Sequence, residues 1–126
     1  MAIQVGGPRH TLPMTMEGQN VFRFAVSTIP ATVEELLEKT GKTLDEVDWV
    51  VCHQANQRII DASVRRLGVP AEKFYKNLDR YANTSAASIP LALAEMKESG
   101  KLKSGQRVIL VGFGGGLTWA GVMLRV

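Results

Sequence analysis

The chain has one cysteine in 126 residues, Cys52, so it can close no internal disulfide. That sparing use of cysteine fits a reducing compartment, and a cytoplasmic location is the expectation. Strong charge is also lacking: a net charge of +3, with charged residues at 21%, does not demand nucleic acid as a partner. The opening residues Met1-Ala2-Ile3-Gln4-Val5 have neither a basic n-region nor a long apolar h-region, so no signal peptide is expected. No uninterrupted apolar run reaches the ~20 residues a bilayer span needs. The stretch between Arg107 and Arg125 is uncharged, but Gly112, Gly114, Gly115, Gly116 and Gly121 break it, and it reads as two strands and a turn. Internal repeats, low-complexity tracts and linkers are missing too. A composition with 45% hydrophobic residues and this length fits one globular domain with a real core.

The periodicities present alternate in kind. Ala2–Val5 or Leu12–Met16 could form a strand, separated by the breaker Gly6-Gly7-Pro8. From Gly18 the pattern turns helical, with Phe22, Val26, Ile29, Val33, Leu36 and Leu37 at three- and four-residue steps. Asn20 is a plausible cap, Pro30 should kink or split the helix, and Gly41 ends it. Val47–Cys52 reads as a buried strand, Asn56–Leu67 as a helix stopped by Gly68, and Phe74–Leu78 as a weak strand. Asn83 or Thr84 opens another helix ending near Gly100, with Pro90 about one turn in. Arg107–Val111 and Leu117–Arg125 are strands joined by a glycine turn too short for a crossover, and hence antiparallel. Strands separated by helices imply a mostly parallel sheet, so the fold class is α/β with one antiparallel edge.

Cys52 and His53 are adjacent, which invites comparison with a Cys–His nucleophile pair. On a strand, neighbouring side chains point to opposite faces, so the two should not meet. Cys52 is better read as a small buried hydrophobe. His53 follows the C-terminal end of a strand, where open α/β sheets bind ligands. The run Gly112-Phe113-Gly114-Gly115-Gly116 precedes strand spacing rather than a helix, which disfavours a phosphate cradle. It is either a tight turn or a backbone N–H offered to an oxyanion. Asn83-Thr84-Ser85 could merely cap a helix, or Asn83 could aim its amide at a bound carbonyl. On the Asn56–Leu67 helix, Arg58 and Arg65 form either a solvated basic face or a dock for an acidic partner. Together these features suggest a site holding a carbonyl or thioester, beside the alternative of purely structural roles.

Three stretches carry a resemblance. His53-Gln54-Ala55-Asn56-Gln57-Arg58, Asn83-Thr84-Ser85-Ala86-Ala87-Ser88-Ile89-Pro90 and Gly112-Phe113-Gly114-Gly115-Gly116-Leu117-Thr118-Trp119 resemble the C-terminal half of the β-ketoacyl-acyl-carrier-protein synthase III family. The likeness runs from about residue 14 to the end and includes Met16-Glu17-Gly18 and Val21-Phe22. It implies a thiolase-like half-domain over residues 1–126, with a mostly parallel mixed sheet, an antiparallel C-terminal strand and helices on both faces. It implies a decarboxylative Claisen condensation of acyl-coenzyme A with malonyl-acyl-carrier protein, the opening step of fatty acid synthesis. His53 and Asn83 match the His and Asn of a Cys-His-Asn triad, and Gly115 a backbone oxyanion donor. Met16, Gly18, Phe22, Ala55 and Asn56 match a pantetheine channel, and Arg58 a carrier-protein dock.

The resemblance also implies no resident cofactor or metal, because coenzyme A thioester and carrier protein enter as substrates. The full enzyme is expected to be a homodimer, without nucleic acid or membrane. The nucleophilic cysteine belongs to an N-terminal half that this chain does not contain, so by itself the chain should not condense. An exposed inner face should need that half or a second copy. Two alternatives are a non-catalytic, self-associating half-domain that binds coenzyme A or carrier protein, and a thiolase-fold relative with another acyl substrate.

Overall fold

The structure, a computed structural model, describes residues 18–126. Met16 and the strand expected within the first residues lie outside them. Helix α1 runs from Gly18 to Thr40 as one element, through Pro30. Proline removes a helical N–H, but Pro30 is itself buried, and tertiary packing on both sides of it holds the helix together. The described helix already includes Gly18, so Asn20 lies within it rather than capping it. Gly41 terminates α1 with φ 67°, and Lys42 N–H bonds back to the Leu37 carbonyl.

Strand β1 (Trp49–Cys52) is followed by α2 (Gln57–Leu67), capped by the Asn56 side chain and ended by Gly68 in the left-handed region. The weak strand expected at Phe74–Leu78 reduces to one parallel bridge, Val50 to Phe74. Asn77 turns the chain there, and Leu78 already opens the short helix α3 (Leu78–Tyr81). The next helix, α4 (Ser88–Glu98), begins several residues later than Asn83 or Thr84, after a 3-10 turn over Ser85–Ala87. Ser85 has φ 53°, which no α-helix accommodates, and this delays the start. Strand β2 (Arg107–Gly114) extends through Gly112 to Gly114, beyond the expected end at Val111, before a turn leads to β3 (Thr118–Arg125).

The sheet order is β1-β2-β3, parallel for the first pair and antiparallel for the second. Alternation divides its core in two. Val50, Cys52, Ile109 and Val111 face Ala25, Ile29 and Val33 of α1 and Ile59 and Ile60 of α2. Val51 and Val108 face Ala92 and Met96 of α4 on the other side. Helices thus cover both faces of a mixed sheet, as expected. The register Cys52 to Val111 aligns the C-terminal ends of β1 and β2, and the segments that follow them emerge at the same end of the sheet.

Candidate functional site

His53 is the first residue beyond β1. Its N–H continues the ladder by donating to the Val111 carbonyl at 2.9 Å, which fixes the backbone from which the imidazole projects. The ring is half-buried. Its Nδ1 lies 2.8 Å from Ser88 Oγ at the start of α4, and the ring meets Phe113 of β2 edge to face at 5.2 Å. Burial pulls the imidazole below its ordinary pKa, since an apolar surrounding disfavours the charged form. The ring is therefore neutral near pH 7, and Nε2 is the nitrogen left to a ligand.

The residue after His53 anchors the segment. Gln54 is fully buried; its Nε2 donates to the carbonyls of Cys52 and Tyr75, and its Oε1 accepts from Asn77 N–H. A buried amide with partners on three segments resists rotation of the backbone on which His53 is mounted. Cys52, by contrast, points into the α1/α2 side of the core with no solvent exposure. Burial pushes its thiol up to about 12, so it stays protonated at neutral pH and does not serve as a nucleophile.

Asn83 is exposed in the loop between α3 and α4. Its Oδ1 accepts from Ser85 N–H at 3.0 Å, which leaves the side-chain NH2 as the outward donor. Two non-glycine residues with positive φ flank it: Ala82 at 58° and Ser85 at 53°. Such conformations cost about 1–3 kcal/mol each and persist where the surroundings over-determine them, often at functional sites. The same loop leads through one 3-10 turn to Ser88, the partner of His53. The turn after β2 contains Gly115, Gly116 and Leu117, the last two with φ 73° and 53°. It begins one residue beyond Gly114 and two beyond Phe113, which touches His53.

The three sequence motifs therefore meet at His53: the first supplies the ring, the second Ser88, the third Phe113. Ser88, Phe113 and Gln54 are the residues that reading by sequence left without a role. Phe113 was hidden among glycines, and Ser88 among small residues suited to a helix start.

The remaining candidates occupy the α1/α2 side. The Arg58 guanidinium lies 5.3 Å from the centre of the Phe22 ring, tying the first turn of α2 to α1. Asn56 Oδ1 caps α2 by accepting Arg58 N–H at 2.7 Å. Ala55 packs against the core, and Gly18 is exposed at the start of α1, with open space where a Cβ would be. Among the described residues, no group of three His, Cys, Asp or Glu side chains gathers as a metal site requires. Nor is any described helix long and apolar enough to cross a membrane.

Residues 37–126 match the family described as 3-oxoacyl-(acyl-carrier-protein) synthase III, C terminal. The chain is 51% identical over 112 residues to beta-ketoacyl-acyl-carrier-protein synthase III 2 of Deinococcus radiodurans, covering 89% of this chain and 33% of that protein. It is 47% identical over 125 residues to the synthase III of Thermosynechococcus vestitus, covering 99% of this chain and 37% of that protein. The crystal structure of the synthase III of Thermus thermophilus superposes with a TM-score of 0.88 at 44% identity, over 100% of this chain and 41% of that one. The chain spans about a third of the length of the curated relatives it matches.

Proposed function

The chain belongs to the 3-oxoacyl-(acyl-carrier-protein) synthase III C-terminal family, and from that premise we propose that it supplies the decarboxylation half of a condensing active site. The reaction is the decarboxylative Claisen condensation of an acyl thioester with malonyl-acyl-carrier protein. His53 and Asn83 donate hydrogen bonds to the thioester carbonyl of the malonyl group. As the bond to CO2 breaks, its electron pair moves into that carbonyl and forms an enolate. Two neutral donors suit this task, because negative charge appears on the oxygen only as the transition state is reached. The enolate carbon then attacks an acyl group held as a cysteine thioester. The resulting oxyanion takes a hydrogen bond from Gly115 N–H, and collapse releases the cysteine thiolate.

The observation that carries this reading is the convergence on a neutral, half-buried His53, with Nδ1 engaged by Ser88 and Nε2 left to the substrate. Cys52 is buried, so the acyl-carrying cysteine lies outside residues 1–126, in the N-terminal half of a synthase. A face for that half is supported by apolar side chains exposed on the α4 side of the sheet: Leu91 on α4 and Val122 on β3, which pairs with Leu110. The pantetheine arm runs past Gly18, Phe22, Ala55 and Asn56, and Arg58 meets the acidic carrier protein. The whole enzyme works as a cytoplasmic homodimer with no resident cofactor, taking coenzyme A and carrier-protein thioesters as substrates.

The test is co-expression with the N-terminal half of a synthase III relative, followed by assay of CO2 release from malonyl-acyl-carrier protein. His53→Ala and Asn83→Ala should each lower that release by about 10²–10³-fold, the scale for losing one preorganised donor. An assembled complex that releases CO2 equally well with both substitutions would remove the two residues from the chemistry.

A further inference from the structure

The proposed chemistry needs a proton on one particular nitrogen of His53, and the structure assigns the control of that proton to Ser88. The hydroxyl of Ser88 has two partners among the described residues: Gln54 N–H at 2.8 Å and His53 Nδ1 at 2.8 Å. Gln54 N–H can only donate, so it consumes a lone pair of Oγ and cannot receive the hydroxyl hydrogen. Elsewhere in the chain Ser27, Thr32, Thr40 and Ser63 turn their hydroxyls back to carbonyls four residues earlier. Ser88 is the first residue of α4 and makes no such bond. With Gln54 as a fixed donor on one side, the hydrogen of a fully buried hydroxyl has one acceptor to reach, His53 Nδ1.

The consequence is a defined tautomer. If Nδ1 accepts, it carries no proton, and the imidazole hydrogen resides on Nε2. Nε2–H is then the donor presented beyond the strand end. The opposite tautomer would set Nδ1–H against Oγ, and the buried serine hydrogen would lose its acceptor. The same penalty opposes the doubly protonated ring. Ser88 is thus a positioning residue: it touches no substrate and acts through His53. The chain Gln54 N–H to Ser88 Oγ–H to His53 Nδ1 passes the direction of a fixed backbone donor across to the other side of the ring.

This inference rests on the reading of His53 as a hydrogen-bond donor to the thioester, but its first test does not depend on turnover. The chain has two histidines, His10 and His53. In protein labelled with [15N]histidine, long-range nitrogen–proton correlation at pH 7.5 should give His53 a protonated Nε2 and an acceptor-type Nδ1. A protonated Nδ1 on His53 in the unaltered protein overturns the assignment, whatever the enzyme proves to do. The second test is Ser88→Ala and Ser88→Thr in the assembled synthase. Ala should leave His53 as a mixture of tautomers in the same spectra and lower CO2 release by about tenfold or more, the scale for losing a group that orients a working imidazole. Thr keeps the hydroxyl and should recover both the single tautomer and most of the rate. Equal tautomer populations in the Ala and unaltered proteins would also overturn the proposal. Absence of CO2 release in the unaltered assembly would instead count against the condensing function, while leaving the tautomer assignment to stand on its spectrum.

Discussion

At the scale of single residues, the proposed chemistry depends on keeping His53 uncharged, which its burial favours. The folded imidazole binds its proton less tightly than an exposed one, whose pKa is about 6.5. Above that pH the ring is neutral in folded and unfolded chains alike. As the pH falls through 6.5 the unfolded chain takes up the proton first, so the folded state loses stability until the folded pKa has also been passed. A titration of the His53 ring followed by NMR should therefore have its midpoint below 6.5, and the acidic limb of CO2 release by the assembled enzyme should follow it. A midpoint above 6.5 would mean that an anionic partner faces the ring, and a charged rather than neutral donor would then be the working form.

At the scale of elements, α1 packs tightly against β3 at Gly121. A Cβ at Gly121 would overlap Cγ2 of Thr32 and lie 3.2 Å from Leu36 Cδ1. Thr32 cannot rotate away freely, because its hydroxyl donates to the Thr28 carbonyl at 2.7 Å. Gly121→Ala should destabilise the protein by about 1–3 kcal/mol, the usual scale of overpacking, measured as a lower urea midpoint. Adding Thr32→Ser, which deletes the obstructing methyl and keeps the hydroxyl, should return part of that loss. Full additivity of the two substitutions would place the cost elsewhere.

Much at this scale was legible beforehand. Apolar spacing placed α1, α2 and both long strands, and the short glycine turn dictated the antiparallel edge. The failures share a physical origin in tertiary context. Pro30 reads locally as a break, but its ring is buried and packing carries the helix through it. Asn83 and Thr84 read as helix caps, but the positive φ of Ser85 holds the loop open for one more turn. Among the candidate residues, His53 and Asn83 were marked by their place next to strand and helix ends. Ser88 and Phe113 reach His53 from 35 and 60 positions away in the sequence, and no spacing rule links residues across that distance.

At the scale of the whole molecule, α4 matters most because it does two things at once. Its inner side, Ala92 and Met96, fills the core beneath the sheet, and its first residue holds His53. Its outer side exposes Pro90, Leu91 and Ala94, an apolar strip at helical spacing with no charge in it. A helix that is apolar on two sides belongs between two layers, and the described residues provide only one. Leu91 is 37% exposed, so Leu91→Glu should change the chain's own stability by no more than about 0.5 kcal/mol, as exposed substitutions usually do. In the assembly, by contrast, it would bury an unpaired carboxylate. Gel filtration and native mass should then show a folded chain that no longer holds an N-terminal half, with CO2 release lost in parallel. An assembly of undiminished affinity would mean that this strip faces water in the complete enzyme, and that Val122, exposed on the same side of β3, forms the contact instead.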